Sequence, residues 1–473
     1  MITPARFNSA KNCYTRSEIS GRYAFEDGII TEVGVVDPKD NDVELRYGDV
    51  IITPGLINTH HHLYQWMTRG IATGCNLFEW LQTLYPVWKK MNVEDVYSAA
   101  LVGLGELALS GCTTAFDHHY VVPDGDDSVF DAIIDAAKLV GIRIFISRGS
   151  MDLGEANGGL PPDNLVEERD SILASTERII STHHDGNMVN VVVAPCSPFS
   201  VTEGLMIESA SLARKHGLRL HTHLCETIDE QEHCIERFGK RPAEQLFEWG
   251  WTGDDVWFAH GIHFSEKGKI SLLGQEGTGV AHCPSSNARL AAGMCPVSDL
   301  LQANVPVGLG VDGVASNEVG GLFPELRQAL YTARLREMRP DALMPRDVLD
   351  LGTSGGAKCL GASKSGRIAV GFNADFAVWD VPDLGGVRDP ISGLILGPDR
   401  KVLDLFVAGK QVAKDGELLG FSLSDAQNHY RSALSVCGNN VNIEVIIARS
   451  RDIALIQVNK ALTSCYGRNV RRS

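Results

Sequence analysis

The sequence predicts an α/β protein, a (β/α)8 barrel of the TIM type carrying a small β-sandwich built from both chain ends. Three observations predict it. Between about Asp49 and Asp312 one pattern recurs: an amphipathic helix, a glycine, a short apolar strand, then a polar or ionisable residue closing the strand. The strands are continuous apolar runs, as expected of parallel strands buried on both faces. On either side of this region lie alternating segments with Gly or Asp-Gly turn chemistry, which suit antiparallel hairpins. A chain of 473 residues is long enough for such a barrel with an accessory unit.

Residues 1–53 are expected to form the N-terminal part of the sandwich. Within them "GRYAFEDGIITEVGVVD" (Gly21–Asp37) reads as a hairpin, whereas the first twenty residues lack a clear opening strand. The barrel is expected over 54–365. "DVIITPGLINTH" supplies its first strand and "LALSGCTTAFDHH" its second, closing at Asp117 to His119. "AAKLVGIRIFISR" closes at Arg148, "MVNVVVAPCS" follows, and "LARKHGLRLHTH" closes at His223. "DDVWFAH", "EGTGVAHC" and "VPVGLGVD" end at His260, His282 and Asp312. The glycines fall where a helix C-terminus takes a left-handed residue. Strands alternating with helices imply a parallel sheet, and eight of them imply closure. "GRIAVGFNADFAVWDV" (Gly366–Val381) and "VLDLFVAGKQVAKDGELLG" (Val402–Gly420) are read as further hairpins of the sandwich, within 366–435. Residues 436–473, apolar runs ending in a basic tip, receive no assignment.

Bulk composition narrows the function. The formal charge of −16 argues against a nucleic-acid partner, which needs clustered Lys and Arg. Eleven scattered cysteines without a CxxC pair suggest reduced thiols and a cytoplasmic protein. The start "MITPARFNSAKNC" has no apolar core of a secretory signal, and no run of eighteen apolar residues predicts a membrane span.

Barrels of this type carry their chemistry at the C-terminal ends of the strands. The closing residues therefore converge on one mouth. In "LINTHHHLYQ", side chains alternate along an extended strand, so His60 and His62 share a face and His61 points away. In "LHTHLCET", His221 and His223 also share a face; the more C-terminal His223 is the expected third ligand, and Asp312 the fourth. Imidazole nitrogens and a carboxylate oxygen suit zinc, or iron. Such an ion lowers the pKa of a bound water from 15.7 toward about 7. Glu226, three residues after His223, is placed to move protons, and His260 to orient the water or steady an oxyanion. Gly313 is expected to let the backbone turn sharply beside Asp312. No lysine ends the fourth strand, where a two-metal site usually takes its bridge, and Cys196 is the soft ligand nearby; one divalent ion is favoured. The zinc-deaminase pattern of HxE with PCxxC is absent.

"PGLINTHHH", "HTHLCET", "AHG", "HCPSSN" and "GVDGVASN" together resemble the amidohydrolase superfamily, in its mononuclear aminohydrolase branch. "GRIAVGFNADFAVWD" is similar to the returning sandwich strand of that family, and the resemblance spans roughly Gly21 to Gly420. It implies hydrolysis of nitrogen heterocycles with zinc or sometimes iron on His60, His62, His223 and Asp312. It implies Glu226 and His260 in catalysis, with Asp312 also accepting a proton from water. Within the branch, "SRGSMDLGEANGGLPPDNLVEE" and "HCPSSNARLAAGMCPV" are most similar to the 8-oxoguanine deaminases, which implies conversion of 8-oxoguanine to urate and ammonia. Isoxanthopterin, guanine, hydroxyatrazine or another s-triazine are the alternative small-molecule substrates. Gln65 matches a purine-contacting glutamine of guanine deaminases, but "PCSPFS" stands where those enzymes carry a purine-gripping arginine. Trp66, Arg148 and Asn287 are further candidates to line the pocket. A homo-oligomer is compatible with the resemblance. A catalytically dead barrel acting as a scaffold is the alternative of another class, disfavoured because every expected ligand position is filled.

Overall fold

The computed structural model describes residues 5–10, 12–13, 21–34, 43–46, 50–264, 267–380 and 387–428. The N-terminal segment contributes β1 (Ala5–Ala10), β2 (Asn12–Cys13), β3 (Gly21–Glu26), β4 (Ile29–Gly34), β5 (Val43–Arg46) and β6 (Val50–Pro54). The next eight strands are β7 (Leu56–Asn58), β8 (Cys112–His119), β9 (Arg143–Ser150), β10 (Val189–Pro195), β11 (Leu220–Leu224), β12 (Val256–His260), β13 (Gly279–His282) and β14 (Val307–Leu309). β15 (Phe376–Asp380), β16 (Asp404–Val407), β17 (Lys410–Lys414) and β18 (Glu417–Leu418) return to the sandwich.

β7 to β14 close into a parallel barrel in chain order, with Leu309 of β14 opposite Asn58 of β7 at the seam. All eight strands expected from the sequence are present. They are buried along their whole length, which is why they read as unbroken apolar runs. Ile57, Phe116, Phe145, Val192 and Trp257 fill the barrel interior. The helices outside pack a separate, larger apolar layer against the strands. The helix Ser128–Val140 shows the repeating unit: it stops at Gly141, whose φ of 88° frees its N–H for Ala137 O, and β9 begins two residues later.

The sandwich has two sheets, β4-β3-β1-β5 and β18-β17-β16-β15-β6-β2. Tyr23, Phe25, Ile30, Ile52, Phe376 and Phe406 form their common core. Three expectations differ from this arrangement. The first twenty residues do contain strands, β1 and β2, whose polar sequence shows no alternation; pairing with β3, β5 and β6 forms them. "DVIITPGLINTH" is two strands, with β6 in the sandwich and β7 in the barrel, divided at Gly55. The segment from Gly366 is no hairpin: of its described residues only β15 is a strand. Its first half binds β4 edge-on, Ile30 N donating to Phe372 O and Gly371 N to Ile30 O, while Ile368 and Phe372 enter the sandwich core. Residues 436–473, left unassigned from sequence, lie outside the described residues. Among the described residues no helix is long and apolar enough to cross a membrane.

Candidate active site

The barrel mouth gathers the strand-closing residues. His60, His62, His223, Glu226, His260 and Asp312 all lie within it and are buried. His60 Nε2 and His62 Nε2 stand 3.3 Å and 3.2 Å from Asp312 Oδ1. His62 Nε2 and His223 Nε2 are 3.1 Å apart. The partners on the far side of each ring decide what this contact is. His62 Nδ1 lies 2.7 Å from His118 O, and His223 Nδ1 lies 2.6 Å from Cys196 O. Carbonyl oxygens only accept, so both rings carry their proton on Nδ1. Two Nε2 lone pairs therefore face each other at hydrogen-bond distance with no proton between them. With both rings neutral, a cation shared between them accounts for the contact. Zinc ligands at about 2.0–2.1 Å in tetrahedral geometry stand about 3.3–3.4 Å apart, close to the spacings here.

The charge states agree. Burial lowers His60 to about 3 and holds His223 well below its usual range, so both imidazoles are neutral, as metal ligands must be. Asp312 Oδ2 accepts from Ser286 Oγ at 2.5 Å and Ser316 Oγ at 3.2 Å, which leaves Oδ1 for the ion. The residues fit one divalent cation.

Around this centre the loops fix their side chains closely. His260 and Asp312 adopt φ of 70° and 63°, unusual for non-glycine residues, at the ends of β12 and next to β14. Glu230 holds the turn after β11, its carboxylate accepting from Cys225 N at 3.0 Å and Glu226 N at 2.6 Å. That turn sends the Glu226 carboxyl into the cavity, 3.6 Å from His260 Nε2. Burial, with Asp312 and Glu230 nearby, pushes the Glu226 carboxyl well above the usual carboxylate range. A protonated acid beside a metal site can donate a proton at neutral pH.

A cavity opens over the cluster. Its roof is the helix Leu77–Trp88, started by a reciprocal cap between Asn76 and Glu79. Leu77, Trp80, Leu81 and Tyr85 face the cavity from that helix, and Phe199 and Leu290 complete its apolar wall. Gln65, Tyr120, Cys196 and Ser316 add uncharged polar groups; among the described residues no Lys or Arg lines it.

The sequence candidates fall into two sets. His60, His62, His223, Asp312, Glu226, His260 and Gln65 are together at the mouth. Trp66, Arg148 and Asn287 are not among the cavity-lining residues. Arg148 is bound by both oxygens of Glu167, at 2.9 Å and 2.7 Å, and by Ser175. Trp66 packs beneath, where a Cβ at Gly103 or Gly320 would strike its ring. Asn287 Oδ1 accepts from His260 Nδ1 at 2.9 Å, so it orients that imidazole. Gly313 has another role than a sharp turn. The left-handed residue is Asp312, and a Cβ at Gly313 would lie 1.7 Å from Gln65 Oε1, so glycine there makes room for the amide. His61 is fully buried, and neither ring nitrogen has a partner.

Several residues escaped the sequence reading. His118 closes β8 inside the barrel; its Nε2 donates to Ala194 O at 2.9 Å and its ring stacks on His223. It groups with His60, His62 and His223 as a fourth imidazole near the centre. Glu230, Tyr120 and the roof helix were also unforeseen. The one available signal was "DHH", whose alternation places His118 on the inner face.

Residues 51–412 match the family model described as the amidohydrolase family. The chain is 46% identical to an 8-oxoguanine deaminase of Pseudomonas aeruginosa over 428 residues, covering 88% of this chain and 95% of that protein. It is 36% identical to an isoxanthopterin deaminase of an unknown prokaryotic organism over 422 residues, 84% of this chain and 87% of that one. Its fold superimposes on a zinc complex of atrazine chlorohydrolase from Arthrobacter aurescens with a TM-score of 0.85 and 28% identity, over 91% of this chain and all of the other.

Proposed function

The chain belongs to the amidohydrolase family and is an aminohydrolase acting on a C–N bond of a purine-like heterocycle, and from that premise we propose that its substrate is 8-oxoguanine, hydrolysed to urate and ammonia. The observation that carries the reading is the pair of opposed Nε2 lone pairs of His62 and His223 beneath an aromatic-roofed cavity with the Glu226 carboxyl inside it. The relative at 46% identity is named for this substrate. The cavity supports it too: its apolar and aromatic walls suit a planar ring, and none of its described lining residues is an arginine of the kind that grips the purine in guanine deaminases.

In this reading His60, His62, His223 and Asp312 hold one divalent ion, most simply zinc, as in the related chlorohydrolase structure. The ion supplies a water of lowered pKa as nucleophile. Gln65 pairs its amide with the lactam edge of the ring and fixes its rotation. The roof helix excludes bulk water, which strengthens every charge interaction beneath it. Asp312 accepts a proton from the attacking water. Glu226 delivers its proton to a ring nitrogen as C2 becomes tetrahedral, takes up the proton that the C2 hydroxyl loses as the carbonyl of urate forms, and passes it to the amine, which leaves as ammonia; the proton held by Asp312 then returns to Glu226 and resets the site. His260, held by Asn287, steadies the oxygen that develops at C2. Eight of the cysteines are buried and free, which supports a cytoplasmic setting.

The test is ammonia release by zinc-loaded protein given 8-oxoguanine, guanine, isoxanthopterin and hydroxyatrazine. 8-oxoguanine is expected to show the highest kcat/KM. A higher value for another ring overturns the substrate, and no turnover of any of the four overturns the aminohydrolase reading of the site.

A further inference from the structure

We propose that His221, one layer below the mouth, selects which ring nitrogen His60 presents to the ion and thereby sets the metal affinity of the site. The proposal rests on the metal-site reading above and extends it to a residue outside the ligand set.

Each histidine ligand has to present an Nε2 lone pair, which requires a proton on Nδ1 and an acceptor for that proton. For His62 and His223 the acceptors are the backbone carbonyls of His118 and Cys196. No substitution removes a carbonyl. For His60 the corresponding partner is a side chain: Nδ1 lies 2.9 Å from His221 Nε2.

Two imidazoles in contact leave the direction of the hydrogen bond open until the next partner is known. Here the next partner is Trp257 O, 2.9 Å from His221 Nδ1. A carbonyl oxygen only accepts, so His221 carries its proton on Nδ1 and offers Nε2 as an acceptor. His60 must then donate from Nδ1, and its lone pair emerges at Nε2. That atom has no hydrogen-bond partner and stands 3.3 Å from Asp312 Oδ1. The chain from Trp257 O through two rings has one consistent assignment of protons, and it ends at the metal position.

The relay is sheltered. His60 and His221 are both fully buried, so no bulk water substitutes for a lost partner. The His221 ring is wedged between Phe116, at 4.7 Å between centroids, and Trp257, at 4.5 Å. Alternation along β11 explains the placement. His221 and His223 share the inner face, with His223 at the level of the ion and His221 one step beneath it. Without the acceptor, the buried Nδ1–H of His60 is unsatisfied, and moving the proton to Nε2 destroys the ligand.

The test is zinc affinity by competition with a chromophoric chelator, for His221→Phe and His221→Gln. Phenylalanine keeps the shape and removes the acceptor. Glutamine places an amide oxygen near the Nε2 position. The expected result is zinc binding about 10–100-fold weaker for His221→Phe, the range usual for an outer-shell partner, with most of the affinity regained in His221→Gln. The thermal midpoint of the metal-free protein monitors folding. Should the aromatic variant fail to fold, His221→Met against His221→Gln makes the comparison at nearly matched shape. Zinc affinity of His221→Phe within about threefold of the parent, or equal affinities for the Met and Gln variants, overturns the proposal. His62→Gln and His223→Gln are the controls for the underlying reading: if they bind zinc like the parent, the metal site itself is misassigned, whatever His221 does.

Discussion

Glu226 and His223 are three residues apart and have different work, so changing each should break a different property. The Glu226 carboxylate stands 3.6 Å from His260 Nε2 and belongs to neither cluster of metal-ligating atoms. Glu226→Gln should therefore keep its zinc and lose about 10²–10⁴-fold in kcat, the usual worth of a positioned proton donor. Zinc content by elemental analysis and turnover on one preparation check both halves; a variant without metal would place Glu226 in the coordination sphere. His61 provides the opposite case. It is flanked by two proposed ligands, but it is absent from the clusters of metal-ligating atoms and from the cavity lining, so His61→Ala should retain zinc where His60→Ala loses it. Equal loss in both would show that the strand phase is misread. Those phases were legible because alternation is a property of the backbone alone. What was not legible is which side chains meet across the barrel. His118 and Asn287 act on residues 56 and 27 positions away. Spacing in the sequence has no term for such neighbours, and the same limit hid the reason for glycine at position 313, which depends on Gln65.

At the level of elements, eight strand endings were readable because a strand buried on both faces has few ways to be written. The divided first strand was not, because β6 and β7 form one apolar run whose break depends on a neighbour. Gly55 sits between them, its N–H donating to Asp375 O in the sandwich while Leu56 N donates to Gly111 O toward the barrel. An added Cβ at Gly55 would lie 2.1 Å from Thr113 Cγ2 and 2.2 Å from Thr113 Oγ1. Thr113 is itself buried and cannot swing into solvent. Gly55→Ala is thus expected to destabilise the protein by roughly 1–3 kcal/mol, as other forced overpacking does. Thermal unfolding of metal-free protein reads the loss, and Thr113→Gly in the same chain should restore part of it. A neutral Gly55→Ala would mean that β6 and β7 shift apart freely, and that the junction does not position His60 and His62. The sandwich elements were less readable than the barrel. The stretch before β15 is turn-rich and alternating like a hairpin, yet its bonds to a strand, at Gly371 and Phe372, are made to Ile30 of β4.

Over the whole molecule, the position of the ion relative to the barrel seam has a consequence for stability. A barrel of eight strands must close once, and here β14 meets β7 with Leu309 opposite Asn58, followed by an isolated parallel bridge between His61 and Asp312. Beyond that pair the seam is held by Thr59 N to Leu309 O at 2.9 Å, Asp312 N to His60 O at 3.0 Å and Val311 N to Asn58 Oδ1 at 2.9 Å. His60 and His62 stand on one side of this seam and Asp312 on the other. A cation held by them, as proposed above, would tie the first strand to the last. Binding free energy for the folded state adds to stability, and it acts where the ligands are. Removing the ion should therefore loosen the seam before the rest of the fold. Hydrogen exchange on zinc-loaded and chelator-treated protein is expected to rise at residues 56–62 and 307–313, with β15 to β17 of the sandwich unchanged. Reloading with zinc should restore protection, and His62→Gln should show the loosened pattern with or without added zinc. Exchange that rises evenly over barrel and sandwich, or that does not change at all, would mean that the seam closes on its backbone bonds alone and that the cation serves only the chemistry above it.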